Sequence, residues 1–305
     1  MKTVPSLKRL EYLVALVDAE HFGKAAEACN VTPSTLSAGI RDLEELLGSD
    51  LAERTKRHVF ITDFGQEVAA LARNLIAGAA DIIELARARQ APMTGEMKMG
   101  VIPTVGPYLL PDIVPAISQA YPDLQLFLRE EQTASLLTKL HDGQLDVAII
   151  ALPYATEGLQ VYPLFDDTFQ FACASIHALA RRTSIDNKDL STLPLFLLED
   201  GHCLRDHALD ACHLGDRTDR AQFEATSLAT LTQMVAAGLG VTLLPKLASQ
   251  SGLIPTTDIS LIPLANRPFR TIGMVWRAAS TRGQEFENLA NTIQSCRAAV
   301  RQKKT

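Results

Sequence analysis

The chain has 305 residues, of which 47% are hydrophobic, and carries a formal net charge of −6 at pH 7. This length excludes a single small domain. The negative net charge argues against a protein that binds nucleic acid over its whole surface, although a local basic surface remains compatible with it. The sequence contains no apolar run of about 18 residues, and Lys2, Lys8 and Arg9 interrupt any signal-peptide core. We therefore expect a cytoplasmic protein with no membrane segment.

The first fifty residues predict three helices in the order of a helix-turn-helix. Ser6 can cap a first helix over 6–20, where apolar residues recur at helical spacing. A short alanine-rich helix follows over 21–29, and a turn over 30–33 precedes a third helix over 34–47. Small residues between two short helices permit the close, steep crossing that a helix-turn-helix requires. An ordinary helical hairpin is the alternative.

Residues 51–62 combine cationic side chains with alternating apolar residues, which predicts a two-stranded wing whose tip faces phosphate. A solvated basic loop is the alternative. Thr62 can then cap a long helix that extends to about residue 89. Apolar or small residues occupy its heptad positions: Val68, Leu71, Leu75, Gly78, Ile82 and Leu85. Such an apolar stripe needs a partner helix, so the pattern predicts dimerisation. Residues 90–95, which follow this helix, predict a hinge.

From residue 96 onward the spacing of hydrophobic residues no longer indicates helices alone, and segments typical of strands alternate with segments typical of helices. Predicted strands lie at 97–102, 124–128, 145–151, 169–174, 240–244 and 270–276, and predicted helices near 109–121, 133–141, 227–237 and 283–302. This alternation predicts a parallel α/β architecture in two subdomains around a cleft. Ligands of open α/β sheets bind beyond the carboxyl ends of strands, which directs attention to the loops over 102–107 and 130–133.

The five cysteines are scattered at positions 29, 173, 203, 212 and 296. They form no C-x-x-C and no His/Cys metal spacing, so we expect neither a secreted disulfide framework nor a structural metal, and no cofactor. If 203–212 were helical, Cys203 and Cys212 would lie about 13.5 Å apart along the axis, whereas a disulfide needs Cα atoms within roughly 7 Å. A bond between them would require the segment to unwind, which suggests a redox switch. The spacing fits two unrelated core cysteines equally well.

Several segments of the sequence resemble the LysR-type transcriptional regulators over essentially the whole chain. The amino-terminal ones are His21-Phe-Gly-Lys-Ala-Ala, Thr32-Pro-Ser-Thr-Leu-Ser37, Leu43-Glu-Glu-Leu-Leu-Gly48 and Thr62-Asp-Phe-Gly65. Others resemble the OxyR-type hydrogen peroxide sensors within that group: 100–111, 201–206 with Cys212, 225–228, 234–238, 242–245 and 270–273. The resemblance implies an α/β fold with a winged helix-turn-helix at 1–62, a linker helix at 63–90 and a periplasmic-binding-protein-like effector domain at 91–305. Its two subdomains are expected at about 96–165 with 270–305, and at about 166–269.

The resemblance also implies that Cys203 is the peroxide-reactive cysteine and Cys212 the resolving one. The residues that it places in or around the peroxide pocket are Thr104, Thr133, His202, Arg205, Asp206 and Arg270. The sequence departs from the pattern at Gln222, where such sensors are expected to carry a histidine. The remaining cysteines, Cys29, Cys173 and Cys296, are expected to be inert packing residues.

The chemistry of a peroxide sensor accounts for these residue types. A thiolate attacks peroxide, and Arg205, His202 and a helix amino terminus near Cys203 would all favour the anion. The negative charge of Asp206 would disfavour the Cys203 thiolate unless Asp206 forms an ion pair with Arg205. Hydroxyl donors such as Thr104 and Thr133 are needed where the leaving oxygen develops negative charge. For each residue an ordinary role exists: a helix cap for either threonine, a polar surface position for His202 and a carboxylate partner for Arg270.

DNA binding is expected from the first 62 residues. The amino-terminal part of the second helix of a helix-turn-helix enters the major groove, which indicates Thr32, Ser34, Thr35 and Ser37, with Arg41 further along. Arg54, Lys56 and Arg57 would reach flanking phosphate or the minor groove. Hydroxyl groups discriminate bases poorly, so DNA shape and half-site spacing would supply much of the specificity.

The leading hypothesis is a peroxide-responsive transcription factor, not an enzyme, that forms a homotetramer as a dimer of dimers. Its expected partners are double-stranded DNA, hydrogen peroxide, RNA polymerase and a cytosolic disulfide reductant. One alternative keeps the regulator but lets the cleft bind a small organic effector. Another is a thiol peroxidase, which has no need of residues 1–90, and a third is a periplasmic binding protein, which would need an export signal.

Overall fold

The structure is a computed structural model that describes residues 4–54, 59–191, 193, 195–211, 224–254 and 257–303. The chain divides into two compact units. The first comprises Met1–Gln90 with the short segments His141–Gln144 and Ser280–Arg282, and the second comprises Ala91–Leu140, Leu145–Ala279 and Gly283–Thr305. Within the described ranges, no helix has both the length and the apolar character to cross a membrane.

The first unit contains the predicted helices and wing. Its elements are α1 (Leu7–Ala19), α2 (Phe22–Ala28), α3 (Pro33–Leu47), β1 (Ala52–Arg54), β2 (Val59–Ile61) and α4 (Asp63–Gln90). The two wing strands pair antiparallel. Both predicted caps are confirmed, since Ser6 accepts a hydrogen bond from the Arg9 amide and Thr62 accepts one from the Gly65 amide. The turn before α3 ends at Thr32, and Pro33 takes the first helical position, where a missing amide costs nothing.

The core of the first unit forms where α1, α2 and α3 meet. Leu13, Leu36 and Ile40 are fully buried there. A Cβ at Gly39 would lie 2.5 Å from Cδ2 of Tyr12, so a small residue is what lets α3 approach α1.

The long helix α4 has two different faces. Ala69 and Ala72 on one face are buried in the core of the first unit. On another face Leu71, Leu75 and Ile82 are 66%, 58% and 70% exposed. Exposed leucine and isoleucine side chains on one helix face lose the free energy of burial unless a partner covers them.

The second unit begins at β3 and continues with alternating strands and helices. Its elements are β3 (Gly95–Val101), α5 (Gly106–Ala120), β4 (Leu124–Glu130), α6 (Thr133–His141), β5 (Val147–Leu152), β6 (Leu159–Ala174), α7 (Asn187–Ser191), β7 (Leu197–Leu198), α8 (Cys203–Ala211), β8 (Glu224–Ala225), α9 (Leu228–Ala236), β9 (Thr242–Pro245), α10 (Lys246–Ser249), β10 (Ile259–Pro263), β11 (Phe269–Arg277) and α11 (Gly283–Lys303). Each predicted strand and helix is present. The sequence did not predict α7, β7, β8, α10 or β10.

The main sheet has the strand order β10-β6-β11-β5-β3-β4, and β9 also pairs with β6. The expectation of a parallel sheet is correct for β3, β4 and β5 but wrong for the rest of this sheet. The strand β11 pairs antiparallel with both β5 and β6, and β6 pairs antiparallel with β9 and β10. The fold is therefore α/β with a mixed sheet.

The strand β6 connects two parts of the second unit. Its first part, up to Thr168, pairs with β11, and its last part, from Phe169, pairs with β9 and in part with β10. The sequence predicted only 169–174, because Pro163 and two adjacent aspartates lower the apparent strand propensity of the first part. This longer strand is what places Asp167 opposite Arg270 of β11.

Candidate functional site

A small pocket lies at the carboxyl ends of the parallel strands β3 and β4. It measures about 170 Å³, with the solvent space at its mouth included, and is lined by Ile102, Pro103, Thr104, Gln132, Thr133, Gly201, His202 and Cys203. The first three residues follow β3, the next two follow β4, and the last three lead into α8. Both loops that the sequence singled out thus contribute to one site, together with the segment that contains Cys203.

Cys203 is the first residue of α8, and its side chain is a free thiol that is buried at 8% exposure. The Thr133 hydroxyl donates a hydrogen bond to Sγ of Cys203, with the two atoms 3.6 Å apart. Thr133 is itself the first residue of α6, so two helix amino termini converge on the sulfur. The dipoles of the two helices favour negative charge at this point.

Thr104 contributes to the pocket through a second network. The Arg270 guanidinium donates from Nη1 to Oγ1 of Thr104 at 2.9 Å and from Nη2 to its carbonyl oxygen at 3.0 Å. The same guanidinium donates from Nε and Nη2 to Oδ2 of Asp167, at 3.2 and 3.1 Å. Arg270 and Asp167 are both only 2% exposed. Arg270 thus acts on the pocket through Thr104 and is not among the residues that line it.

Gln132 and Gly201 also line the pocket and were not predicted as site residues. Gly201 adopts φ +93°, a region that favours glycine, and a Cβ there would lie 3.0 Å from Oε1 of Gln132. The glycine therefore lets the segment before Cys203 approach the Gln132 side chain. The sequence did contain an indication of this contact, because Gly201 lies just before the helix that was expected to begin near Cys203.

Of the three residues near Cys203 that were predicted for the site, His202 lines the pocket, whereas Arg205 and Asp206 do not. His202 is buried, and its Nε2 lies 3.9 Å from Oε1 of Glu199. Arg205 lies 3.3 Å from Asp200, which is a solvent-exposed partner. Asp206 is exposed on α8 and is absent from the residues that line the pocket.

His207 is a further buried residue that the sequence analysis missed. Its Nε2 lies 2.9 Å from the Pro153 carbonyl oxygen, while its Nδ1 is buried without a hydrogen-bond partner. Burial lowers the pKa of His207, and the nearby positive charge of Arg270 lowers it further. The ring is therefore neutral at pH 7, with Nε2 donating to the carbonyl. The sequence did contain an indication of this position: His207 lies four residues after Cys203, so the two residues share one face of a helix.

The other described cysteines differ from Cys203 in their surroundings. Burial raises the pKa of the Cys29, Cys173 and Cys296 thiols, which keeps them protonated at neutral pH. None of the three lines the pocket. This agrees with the expectation that they pack and do not react. Cys212 and Gln222 lie outside the described residues.

The predicted DNA-contacting residues cluster at the amino-terminal half of α3. Thr32, Ser34, Thr35 and Arg41 are exposed there, and Ser37 is half-buried. The Thr32 hydroxyl also caps α3 by accepting from the Thr35 amide at 3.2 Å, so it has a structural role as well. Arg54 ends β1, but its side chain and residues Lys56 and Arg57 lie outside the described part.

Comparison with known proteins identifies the class. A family model described as "Bacterial regulatory helix-turn-helix protein, lysR family" matches residues 7–66, and one described as "LysR substrate binding domain" matches residues 90–297. The chain therefore belongs to the LysR family of transcriptional regulators.

Among individual proteins, the chain is 42% identical over 288 residues to "Hydrogen peroxide-inducible genes activator" of Dickeya chrysanthemi, covering 94% of each chain. It is 38% identical over 303 residues to "HTH-type transcriptional regulator EstR" of Acinetobacter baylyi, covering 98% of this chain and 100% of that one. The solved structure of full-length OxyR from Pseudomonas aeruginosa matches with a TM-score of 0.81 at 38% identity, covering 96% of this chain and 95% of that one.

Proposed function

We propose that this protein is a peroxide-sensing, DNA-binding transcriptional regulator in which Cys203 is the reactive thiol. The observation that carries the proposal is the contact between the Thr133 hydroxyl and the Cys203 sulfur, inside a pocket that also contains Thr104. The printed names of the Dickeya and Pseudomonas proteins agree with it. In this role Thr104 and Thr133 contact the reacting atoms, Arg270 supports them, and His202 borders the sulfur.

The proposed reaction has two steps. The Cys203 thiolate attacks one oxygen of hydrogen peroxide, the O–O bond breaks, and the products are a sulfenic acid on Cys203 and a hydroxide ion. A donor such as Thr104 stabilises the negative charge on the leaving oxygen. The hydroxide then takes up the proton released when the Cys203 thiol ionised, which gives one water. The Cys212 thiol attacks the sulfenic sulfur, giving a disulfide and one water. The two cysteines lose two electrons in total, and one peroxide becomes two waters.

The size of the pocket favours peroxide over an organic effector. Small-molecule sites usually enclose roughly 300–1,000 Å³, whereas the recess beside Cys203 measures about 170 Å³ even when the solvent space at its mouth is counted. A peroxide molecule has two oxygen atoms and needs only a few donors. The small volume and the buried thiol therefore suit a small oxidant better than a metabolite.

The remaining parts of the chain supply the DNA-binding and assembly functions in this proposal. Residues 32–41 at the start of α3 enter the major groove, and Arg54, Lys56 and Arg57 of the wing contact the DNA backbone. The apolar face of α4 pairs with a second copy, and two such dimers form a tetramer. We place the protein in the cytoplasm, where RNA polymerase is the output partner and a thiol-based reductant resets the disulfide.

A peroxide titration read by intact mass tests this function. One equivalent of hydrogen peroxide should remove two hydrogen masses from the wild-type chain, and peptide mapping should place the bond between Cys203 and Cys212. The Cys203→Ser variant should show no such loss, and the Cys212→Ser variant should stop at a sulfenic acid on Cys203. Cys296→Ser serves as the matched control and should behave as wild type. A wild-type response retained in Cys203→Ser would overturn the proposal.

A further inference from the structure

The buried ion pair between Asp167 and Arg270 sits directly behind the pocket. The two residues are opposite each other across β6 and β11, and both side chains are almost fully buried. Asp167 is fixed on both oxygens, because Oδ2 accepts twice from Arg270 and Oδ1 accepts from the Leu247 amide at 2.8 Å. A carboxylate held in this way allows the guanidinium few alternative orientations.

The orientation of the guanidinium determines what the Thr104 hydroxyl can do. Arginine has hydrogen-bond donors and no acceptor, so Oγ1 of Thr104 must accept the bond from Nη1. The second bond, from Nη2 to the Thr104 carbonyl, fixes the backbone at the same residue. The hydroxyl proton of Thr104 is thereby left to donate elsewhere, and Thr104 lines the pocket that holds Cys203.

We infer that Asp167 is a positioning residue for the oxidation of Cys203, acting through Arg270 on the Thr104 hydroxyl. Asp167 orients the guanidinium, the guanidinium occupies the acceptor side of the hydroxyl, and the hydroxyl directs its proton at the leaving oxygen of the peroxide. This inference rests on the proposed peroxide chemistry, and it assigns a role to a residue that does not line the pocket.

The charge of Asp167 offers a different explanation, and the two make opposite predictions. If Arg270 promoted the reaction only as a positive charge, Asp167 would weaken it by neutralising that charge, and removing the carboxylate would speed oxidation. If Asp167 acts by orienting Arg270, removing it slows oxidation although the local charge becomes more positive. The sign of the rate change therefore separates the two mechanisms.

The experiment compares two reagents on the full-length protein. Peroxide oxidation of Cys203 needs a donor for the leaving oxygen, whereas alkylation by iodoacetamide reports only the availability of the thiolate. In Asp167→Asn the peroxide rate constant should fall by roughly 10-fold to 10²-fold, less than the 10²-fold to 10³-fold cost of deleting a whole donor. The iodoacetamide rate should not fall. Asp166→Asn is the matched control, because Asp166 is exposed on the same strand and accepts from Thr271, and its peroxide rate should stay at the wild-type value.

A double variant tests whether Asp167 acts through Thr104. Thr104→Val combined with Asp167→Asn should be no slower than Thr104→Val alone, within about twofold, because both changes remove the same interaction. If the double variant is slower by the product of the two single-variant losses in peroxide rate, the inference is wrong. A wild-type peroxide rate in Asp167→Asn, or an equal loss of its iodoacetamide rate, would also overturn it.

If Asp167→Asn does not fold, Arg270→Lys decides the question. Lysine keeps the charge but lacks the fork that reaches Asp167 and Thr104 together, so a wild-type peroxide rate in that variant overturns the inference. A wild-type chain that does not react with peroxide at all would refute the proposed function instead.

Discussion

At the scale of single residues, the two pocket threonines differ in what they touch. The Thr133 hydroxyl contacts the sulfur itself, whereas the Thr104 hydroxyl accepts a hydrogen bond from Arg270. A donor to the sulfur stabilises the thiolate before any reagent arrives. A donor held away from the sulfur can act on the oxygen that leaves. The same type of side chain therefore has two roles, which kinetics with two reagents can separate.

We predict that Thr133→Val slows both peroxide oxidation and iodoacetamide alkylation of Cys203, while Thr104→Val slows only the peroxide reaction. The loss of a donor to developing negative charge should cost roughly 10²-fold to 10³-fold in rate. Stopped-flow or quenched-mass kinetics at pH 7 measure both rates. Thr138→Val on α6 is a matched control, because its hydroxyl is exposed and donates to the Ala134 carbonyl. Equal losses with both reagents in Thr104→Val would contradict this division of roles.

At the scale of elements, α8 opposes the bond that the proposal requires. The nine helical residues Cys203–Ala211 extend for about 13.5 Å, while a disulfide needs Cα atoms within roughly 7 Å. Forming the Cys203–Cys212 bond must therefore unwind α8. His207 contacts the Pro153 carbonyl through Nε2, and its Nδ1 is buried without a hydrogen-bond partner. We expect unwinding to break this contact and to expose Nδ1 to water.

This release of His207 should make the redox equilibrium depend on pH. Burial lowers the pKa of His207 in the helix, Arg270 of β11 lowers it further, and the Pro153 carbonyl and the carboxylates Asp206 and Asp210 oppose that shift. In the unwound segment the pKa returns towards about 6.5. Below that pH the oxidised form binds a proton that the reduced form does not, so acid favours the oxidised form. Above about pH 6.5 the ring is neutral in both forms and the effect disappears.

We predict that the reduction potential of the disulfide changes less steeply with pH below about 6.5 than two thiols alone require. Each proton taken up per two electrons contributes about 30 mV per pH unit, so the proton that His207 loses on reduction makes the slope about 30 mV per pH unit shallower than the two cysteines alone would give. His207→Gln should keep the steeper slope, because glutamine can donate to the Pro153 carbonyl but does not titrate. Equilibration with a thiol buffer between pH 5.5 and 7.5, read by intact mass, measures both slopes. Parallel slopes in the two proteins would show that His207 stays buried after oxidation.

Local patterns predicted the elements better than they predicted the site. The caps at Ser6 and Thr62, the helical spacing and the strand order along the chain could be derived because each depends on neighbouring residues. Asp167 was missed because its partner Arg270 is 103 positions away. One signal was present: Asp167 alternates with Phe169 and Phe171, so it falls on the buried face of a strand. A carboxylate on such a face needs a buried partner, and only the antiparallel pairing of β6 with β11 identifies it.

At the scale of the whole molecule, the disulfide must influence DNA that lies outside the effector unit. A closed loop of about ten residues is worth roughly 2.7 kcal/mol in the chain-entropy model, and typical allosteric couplings are about 1–3 kcal/mol. The two energies are of similar size, so closing the bond is large enough to shift an equilibrium between two arrangements of the protein. The face of α4 that carries Leu71, Leu75 and Ile82 is exposed and apolar. We propose that this face pairs with a second copy and that α4 transmits the change to the helix-turn-helix.

We predict that oxidation changes the length of DNA that the protein protects, because the spacing of helix-turn-helix units sets the spacing of the half-sites. Footprints on one operator, before and after treatment with peroxide, measure this length. Salt must be held constant, since the number of neutralised phosphates makes affinity strongly dependent on ionic strength. Cys203→Ser is the control and should give the reduced footprint under both conditions. If wild type gave the same footprint and the same affinity in both redox states, Cys203 and Cys212 would be a pair that reacts with peroxide without regulating DNA binding.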